Sequence, residues 1–336
     1  VFIDEIDALG SRDRIGSGTS SLQPVQVLNT FLAMMDGVEQ NTGVLFVAAT
    51  NRLDAVDAAL LRPGRFTRQI EVPVPRSPQE RETLVRLRLS KSPVGDTATL
   101  SRELARIAPG MSPAEITDMV SEGLLLAARR GKDPTLDDFV EARNLVRFGA
   151  PKLERRPDAC DRSIALHEAG HAVVAMHYSF PIVQVTIVGR DGQAGFEGLV
   201  ERDEDWGMVV RDRESVFRDI DVLLGGRCAE SLCGAPTTGC HHDLEAATRL
   251  ATSIVARWGL DEESGLAVIE IDTSQLPRIP RVWRRVNALL RAREAEVEKI
   301  LRHQCRALGA VRDALAERRT LFADEVRSLW GQYGSS

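Results

Sequence analysis

Two histidines and a glutamate stand in one short run, Ala165-Leu166-His167-Glu168-Ala169-Gly170-His171. On a helix, positions i and i+4 share a face one turn apart, so His167 and His171 can offer their imidazoles to one metal ion. Glu168 follows the first histidine directly. From there its carboxylate can reach a water on the metal and act as general base. Small Ala169 and Gly170 leave room for close packing behind the pair. This is the chemistry of a zinc peptidase. The plainer alternative is a core helix with two satisfied histidines, but a helix that only fills a core seldom needs two His and a Glu together.

A catalytic zinc takes three protein ligands and keeps one position open for water. No third histidine follows at the longer metzincin spacing. Candidates lie downstream in Thr237-Thr238-Gly239-Cys240-His241-His242-Asp243-Leu244-Glu245. His241, His242, Asp243 and Glu245 all qualify by residue type, and imidazole is the default choice. Asp243 also reads as the N-cap of an Ala-rich helix expected from about Asp243 to Trp258. Spacing leaves the choice open.

A second set of chemical residues opens the chain. In Val1-Phe2-Ile3-Asp4-Glu5, apolar residues lead into two acids. At the C-terminal end of a parallel strand, Asp4 would hold Mg²⁺ and Glu5 would polarise an attacking water. A second strand-like run ends at Thr50-Asn51, where Asn51 can sense a γ-phosphate. Leu60-Leu61-Arg62-Pro63-Gly64-Arg65-Phe66 follows, and its guanidinium groups suit the charge of phosphoryl transfer on a neighbour's nucleotide. The alternative is a surface loop with solvated arginines. No G-x-x-x-x-G-K-[ST] phosphate loop occurs in the chain, so Mg-nucleotide has no cradle within it.

These residues need elements to hold them. Val44-Leu45-Phe46-Val47-Ala48-Ala49 is a continuous apolar run of the kind found in parallel strands buried on both faces. Gln23 to Met35 has helical spacing at Val27, Leu28, Phe31, Leu32 and Met35, which gives strand, helix, strand. Gly10 to Ser21 reads as a mobile loop. From about Ser77 the pattern predicts helices over Pro78–Leu89, Leu100–Ala108, Pro113–Arg130 and Thr135–Arg147. Gly149 to Asp161 reads as a linker. A third unit begins near Arg162 with a helix, continues into the β-branched run Val183 to Val188, and is then mostly helical. Pro280 to Leu308 is one long charged helical stretch. The fold class is thus α/β plus mainly α.

The chain has 336 residues, 43% of them hydrophobic and 27% charged, with a net charge of −6. That is a soluble globular balance, and it argues against nucleic acid or an anionic membrane surface as the main partner. Its five cysteines are odd in number and form no C-x-x-C pair, so neither a disulfide framework nor a cysteine zinc site is indicated, which suits a reducing compartment. Val1 opens inside an apolar run, which reads as a chain whose N-terminal part is missing.

Taken together, the sequence resembles the C-terminal part of the FtsH-type membrane-anchored ATP-dependent zinc metalloproteases, a branch of the AAA ATPases. The resemblance covers nearly the whole chain. It rests on Val1-Phe2-Ile3-Asp4-Glu5-Ile6-Asp7-Ala8, Met35-Asp36-Gly37, Ala49-Thr50-Asn51-Arg52 and Ala59-Leu60-Leu61-Arg62-Pro63-Gly64-Arg65-Phe66 in the first part. In the second it rests on His167 to His171, Leu223-Leu224-Gly225-Gly226-Arg227 with Ala229-Glu230, and Thr237-Thr238-Gly239 to Asp243-Leu244 with Ala247-Thr248.

The resemblance implies that Asp243 is the third zinc ligand beside His167 and His171, with Glu168 catalytic. It assigns Asp4 and Glu5 to Mg-ATP hydrolysis, Asn51 to phosphate sensing, and Arg62 and Arg65 to fingers acting across a subunit boundary. It implies Zn²⁺ and Mg-ATP as cofactors, and a homo-hexamer that feeds unfolded or membrane proteins into a peptidase chamber. The implied layout is the C-terminal part of an AAA α/β domain over 1–76 and a helical lid over 77–148. A linker over 149–161 and a zinc metallopeptidase domain over 162–332 follow. Phosphate loop, pore loop and membrane anchor would lie upstream of Val1, which places the protein at the cytoplasmic face of a membrane. Several residues depart from the family pattern. Cys240, His241 and His242 stand where a small pair is usual, the loop Arg14 to Gln23 lacks a Gly-rich Glu-Arg run, and residue 67 is Thr where Asp is common. The competing classes are a non-proteolytic AAA remodeller with a dead peptidase domain and a scaffold that joins hexamers without activity.

Overall fold

In the computed structural model, residues 1–9, 22–36, 44–90, 92, 95–152, 158–190, 198–202, 211–265, 268–271 and 273–334 are described. The Gly10 to Ser21 loop expected from sequence lies outside them. The chain divides into two compact units, Val1–Pro73 and Val74–Ser336.

In the first unit, strand β1 (Phe2–Ile3) pairs in parallel with β2 (Val47–Ala48), Phe2 opposite Val47 and Ile3 opposite Ala48. Helix α1 (Leu22–Asp36) turns Leu28, Leu32 and Met35 into a small core with Ile6, Val56, Ala59 and Leu60. The run Val44 to Ala49 does not behave as a strand buried on both faces. Only two of its residues pair, and Val44, Leu45 and Val47 are 48%, 74% and 45% exposed. A parallel strand is covered on both sides only when further strands and helices flank it, and among the described residues β2 has one strand beside it.

The second unit opens with four helices, α2 (Pro78–Leu89), α3 (Thr97–Ile107), α4 (Pro113–Arg130) and α5 (Leu136–Phe148). Ser77 with Glu80 and Ser112 with Glu115 form capping boxes, each followed by Pro at the first helical position. These helices enclose their own core of Val85, Leu89, Leu104, Met111, Ile116, Met119 and Phe139. The segment after α5 is not a free linker at its start. Pro151 bridges to Arg190, and the Lys152 amide donates to the Gly189 carbonyl at 2.9 Å.

Helix α6 (Asp158–His177) then leads into an antiparallel three-stranded sheet of order β4 (Leu199–Arg202), β3 (Ile182–Thr186), β5 (Thr320–Phe322). Helices α7 (Arg213–Cys233), α8 (His241–Ala256), α9 (Pro280–His303), α10 (Cys305–Arg318) and α11 (Ala323–Tyr333) complete the unit. The stretch Pro280 to Leu308 is therefore two helices. It breaks at Gln304, which is buried among its neighbours. α6, α7, α8, α9 and α10 share one large core built on Val173, Ile220, Ile254, Leu301 and Leu315. Among the described residues, no helix is long and apolar enough to cross a membrane.

Candidate metal centre

α6 buries almost every residue from Ala165 to Ala175, His167, Glu168 and His171 included. Alanines keep the helix thin, and Gly170 removes the last obstacle to α7. A Cβ on Gly170 would stand 2.3 Å from the Gly225 carbonyl oxygen, and one on Gly225 would stand 2.8 Å from that of Gly170. The two helices thus meet backbone to backbone. The next residue of α7 clears the imidazoles: a Cβ on Gly226 would lie 2.5 Å from His167 Nε2 and 2.6 Å from His171 Nε2.

The two Nε2 atoms lie 3.0 Å apart. Asp243 Oδ2 lies 3.1 Å from that of His167 and 3.4 Å from that of His171. With Zn–N and Zn–O bonds of about 2.0–2.2 Å, donors around a tetrahedral zinc are spaced about 3.3 Å apart, so these three atoms fit one ion. Both ring Nδ1 atoms are engaged elsewhere. His167 Nδ1 donates to Glu230 Oε1 at 2.8 Å, and His171 Nδ1 donates to the Val222 carbonyl at 2.6 Å. Those bonds fix the tautomer that leaves Nε2 free to face the other two donors, the arrangement a metal-binding histidine uses.

Asp243 sits in the first turn of α8. Cys240, not Asp243, holds the N-cap position. A short 3-10 turn, Thr238–Cys240, delivers the chain to that helix, and Thr237 begins it by accepting the Gly239 amide at 3.2 Å. Glu230 anchors this turn as well as His167, taking the Thr237 amide at 2.5 Å and hydroxyl at 3.1 Å. One buried carboxylate therefore orients an imidazole and sets the entry of the helix that carries Asp243. His241 and His242 are exposed, their rings 5.4 Å apart, and neither they nor Glu245 join the cluster.

Charges at the centre are strongly coupled. Burial pushes the Glu168 carboxyl up to about 7, against the downward pull of His171 and His167 and with a further push from Asp243. Burial pulls His171 down, but the hydrogen bond and charge of Asp243 outweigh it, with Glu168 and the Val222 carbonyl, and hold the imidazole up at about 9. Burial raises Asp243, and the two histidines more than reverse this, leaving it well below the usual carboxylate range. Positive charge is thus favoured where the three donors meet, and a divalent cation answers the same need. Glu168 rests against Gly198, the residue just before strand β4: a Cβ on Gly198 would meet its Oε1 at 2.4 Å.

In the first unit, Asp4 and Glu5 follow β1, and Asn51 follows β2 three residues after its end. The Ile6 amide donates to the Ala49 carbonyl at 3.1 Å and Thr50 Oγ1 to Asp7 at 2.6 Å, so all three residues come to one edge of the parallel ladder. The Glu5 amide donates to Asp4 Oδ1 at 3.0 Å, and Glu5 adopts a positive φ of 50°. Arg62 is exposed, whereas Arg65 donates to the Ala59 carbonyl at 2.7 Å.

Sequence reasoning gave no role to Glu230, Gly226, Gly198 or the Val222 carbonyl. Glu230 had a readable signal, since it stands on an apolar helix one turn after Gly226 and therefore on the same face. A backbone carbonyl has none.

A His-Glu-x-x-His helix joined by a carboxylate from a second helix is the ligand layout of a metallopeptidase. Comparison with known proteins agrees. The family model of peptidase family M41 matches residues 157–329, and that of the ATPase family associated with various cellular activities (AAA) matches residues 1–74. The chain belongs to peptidase family M41. It is 36% identical, over 98% of its length, to "ATP-dependent zinc metalloprotease FtsH" of Neorickettsia risticii (strain Illinois), of which the match covers 53%. A protein of the same name from Thermus thermophilus is also 36% identical, over 98% of the chain and 54% of the relative. One from Cupriavidus metallidurans is 35% identical, over 98% and 52%. The chain spans about half the length of the relatives it matches.

Proposed function

We propose that the chain is the peptidase-bearing part of an ATP-dependent zinc metalloendopeptidase that degrades unfolded or membrane proteins. His167, His171 and Asp243 hold the zinc, and Glu168 is the general base. The observation that carries this is the convergence of Nε2, Nε2 and Oδ2 within 3.0–3.4 Å, with both Nδ1 atoms engaged elsewhere. Zinc held by these three residues would supply a water of pKa about 7 and a Lewis acid for the scissile carbonyl. With zinc held there, Glu168 would be placed to accept a proton from the attacking water and to return it to the leaving amine. Its burial keeps competing solvent away from the carboxylate, and Gly198 limits where the carboxylate can swing.

The first unit supplies the ATPase chemistry in this reading. Asp4 holds Mg²⁺, Glu5 polarises the attacking water, Asn51 contacts the γ-phosphate, and Arg62 and Arg65 reach a neighbour's nucleotide in a homo-hexamer. Residues 1–76 are then the C-terminal part of the AAA α/β domain, 77–148 its helical lid, 149–161 the join and 162–332 the peptidase. The working site is the cytoplasmic face of a membrane. The match to relatives named as ATP-dependent zinc metalloproteases supports this reading. The complete donor set speaks against a remodeller with a dead peptidase domain.

The test is Glu168→Gln in the full-length protein with casein as substrate. Zinc should stay at about one ion per chain. Cleavage should fall by about 10²-fold or more, because the water loses its base and keeps its metal. Cleavage near the wild-type rate would assign the base to another group.

A further inference from the structure

Between the four-helix group α2–α5 and the sheet lies a buried polar cluster that the chemistry above does not use. Arg143 on α5 is 1% exposed, and Asn144 beside it, Gln184 on β3 and Glu201 on β4 are all buried. Arg143 donates through Nε to the Ile107 carbonyl, through Nη1 to Asn144 Oδ1 at 2.9 Å, and through Nη2 to Glu201 Oε1. Gln184 Nε2 donates to Asn144 at 2.9 Å and to Glu201 Oε2 at 3.1 Å, and takes the Asn144 amide in return at 3.3 Å. Arg147 adds a second cation 3.6 Å from Glu201. The apolar core of the four helices and that of the peptidase helices have no residue in common, so this cluster is a polar joint between two separate cores.

Stability does not call for such a joint. A buried ion pair loses much of its Coulomb energy to desolvation, and apolar residues of similar volume often serve as well or better. What it supplies is geometry. Among the described residues β4 is an edge strand, paired on one side only, and its register with β3 is irregular between Ile182 and Gln184. Glu201 faces Gln184 across that irregularity. The carboxylate held by Arg143 therefore fixes where β4 stands along β3, which the ladder alone fixes poorly. Three residues upstream, about 10 Å at strand spacing, Gly198 touches the Glu168 carboxylate. A Cβ there would lie 2.4 Å from Oε1, 2.7 Å from Cγ and 2.8 Å from Cδ.

We propose that Arg143 is a positioning residue for Glu168. It acts through β4, held at Glu201, and through Gly198, the residue just before β4, which rests on the Glu168 carboxylate. The proposal depends on Glu168 being the base. It makes the last helix of the four-helix group part of the machinery that aims the proton acceptor. Displacements of about 1 Å at a catalytic group can cost 100-fold in rate, so a loosened strand should register in turnover.

The experiment uses the full-length, zinc-loaded protein and three variants. Arg143→Met/Glu201→Met removes both charges together and leaves neither unpaired. Gly198→Ala alters the residue just before β4, where the three atoms nearest the new methyl all belong to the flexible Glu168 side chain. Glu168→Gln is the reference for loss of the base. Zinc content, kcat and KM on casein, and amide exchange of residues 199–201 are measured. Both new variants should keep wild-type zinc and KM and lose about tenfold or more in kcat, and the double variant should exchange faster at 199–201. A double variant with faster exchange and unchanged kcat would overturn the proposal, because the strand would then move without consequence. Unchanged exchange would overturn it as well, because the joint would not be holding the strand. Glu168→Gln with wild-type turnover would remove the base assignment and this inference together. An inactive Glu168→Gln beside a fully active double variant would remove the inference alone.

Discussion

The metal centre and the Asp4–Asn51 edge use similar side chains but are built differently. At the metal centre, His167, Glu168 and His171 are buried in one helix, and both imidazoles are held from behind by Glu230 and the Val222 carbonyl. At the other edge Asp4, Glu5 and Asn51 are exposed on a two-stranded ladder, placed by backbone register and the Thr50–Asp7 bond. The first site carries its support in the same fold unit. The second is positioned at its base and open at its tip. Support of that kind decides how sensitive a site is to a single change, since a side chain locked by a buried partner loses its aim when the partner goes.

The comparison makes graded predictions. The largest effect belongs to the proposed ligands. His171→Ala or Asp243→Ala should abolish zinc binding, read by metal analysis of the purified protein, and wild-type zinc in either variant would dissolve the assigned triad. Gly226→Ala comes next, since its methyl would stand within 2.6 Å of both Nε2 atoms. Zinc affinity should fall steeply while the far-ultraviolet dichroism stays native, and retained affinity would mean that the α6–α7 contact has slack. Glu230→Gln should weaken zinc by about 10- to 100-fold without abolishing it, as expected of a residue behind a ligand. A competition titration with a chelator reads that difference. The smallest effects define the contrast. His241→Ala and His242→Ala should keep zinc and cleavage within about twofold, because both side chains are exposed. Glu5→Gln should leave zinc untouched, and residues 1–336 alone should show no ATP turnover for it to remove, because no phosphate loop occurs in them.

The structure also shows where sequence is a good guide and where it is not. Helices α2 and α4 were legible to the residue, because Ser77-Pro78 with Glu80 and Ser112-Pro113 with Glu115 announce their own starts. The break between α9 and α10 was not, since Gln304 is neither Gly nor Pro and the charged pattern runs straight through it. Strands β4 and β5 are four and three residues long, too short for alternation to show. At the metal centre, the pair on α6 was readable from i, i+4 spacing. The choice among His241, His242 and Asp243 was not, because it depends on rotation. Consecutive residues of α8 point about 100° apart, so only one of the three can face α6. Which one it is follows from the turn that Glu230 anchors through Thr237. That anchor lies in another helix, beyond the reach of local pattern.

The crossing of α6 and α7 at Gly170 and Gly225 has a consequence for the history of the site. Most packed pairs can trade volume, a larger residue on one side answered by a smaller one on the other. Here each glycine meets the backbone of the other, and no amino acid is smaller than the two already present. An enlargement at either position has no reciprocal substitution to absorb it. The spacing of these helices is at its floor, and descendants of this chain could leave it only by giving up the distance that lets two imidazoles and a carboxylate converge.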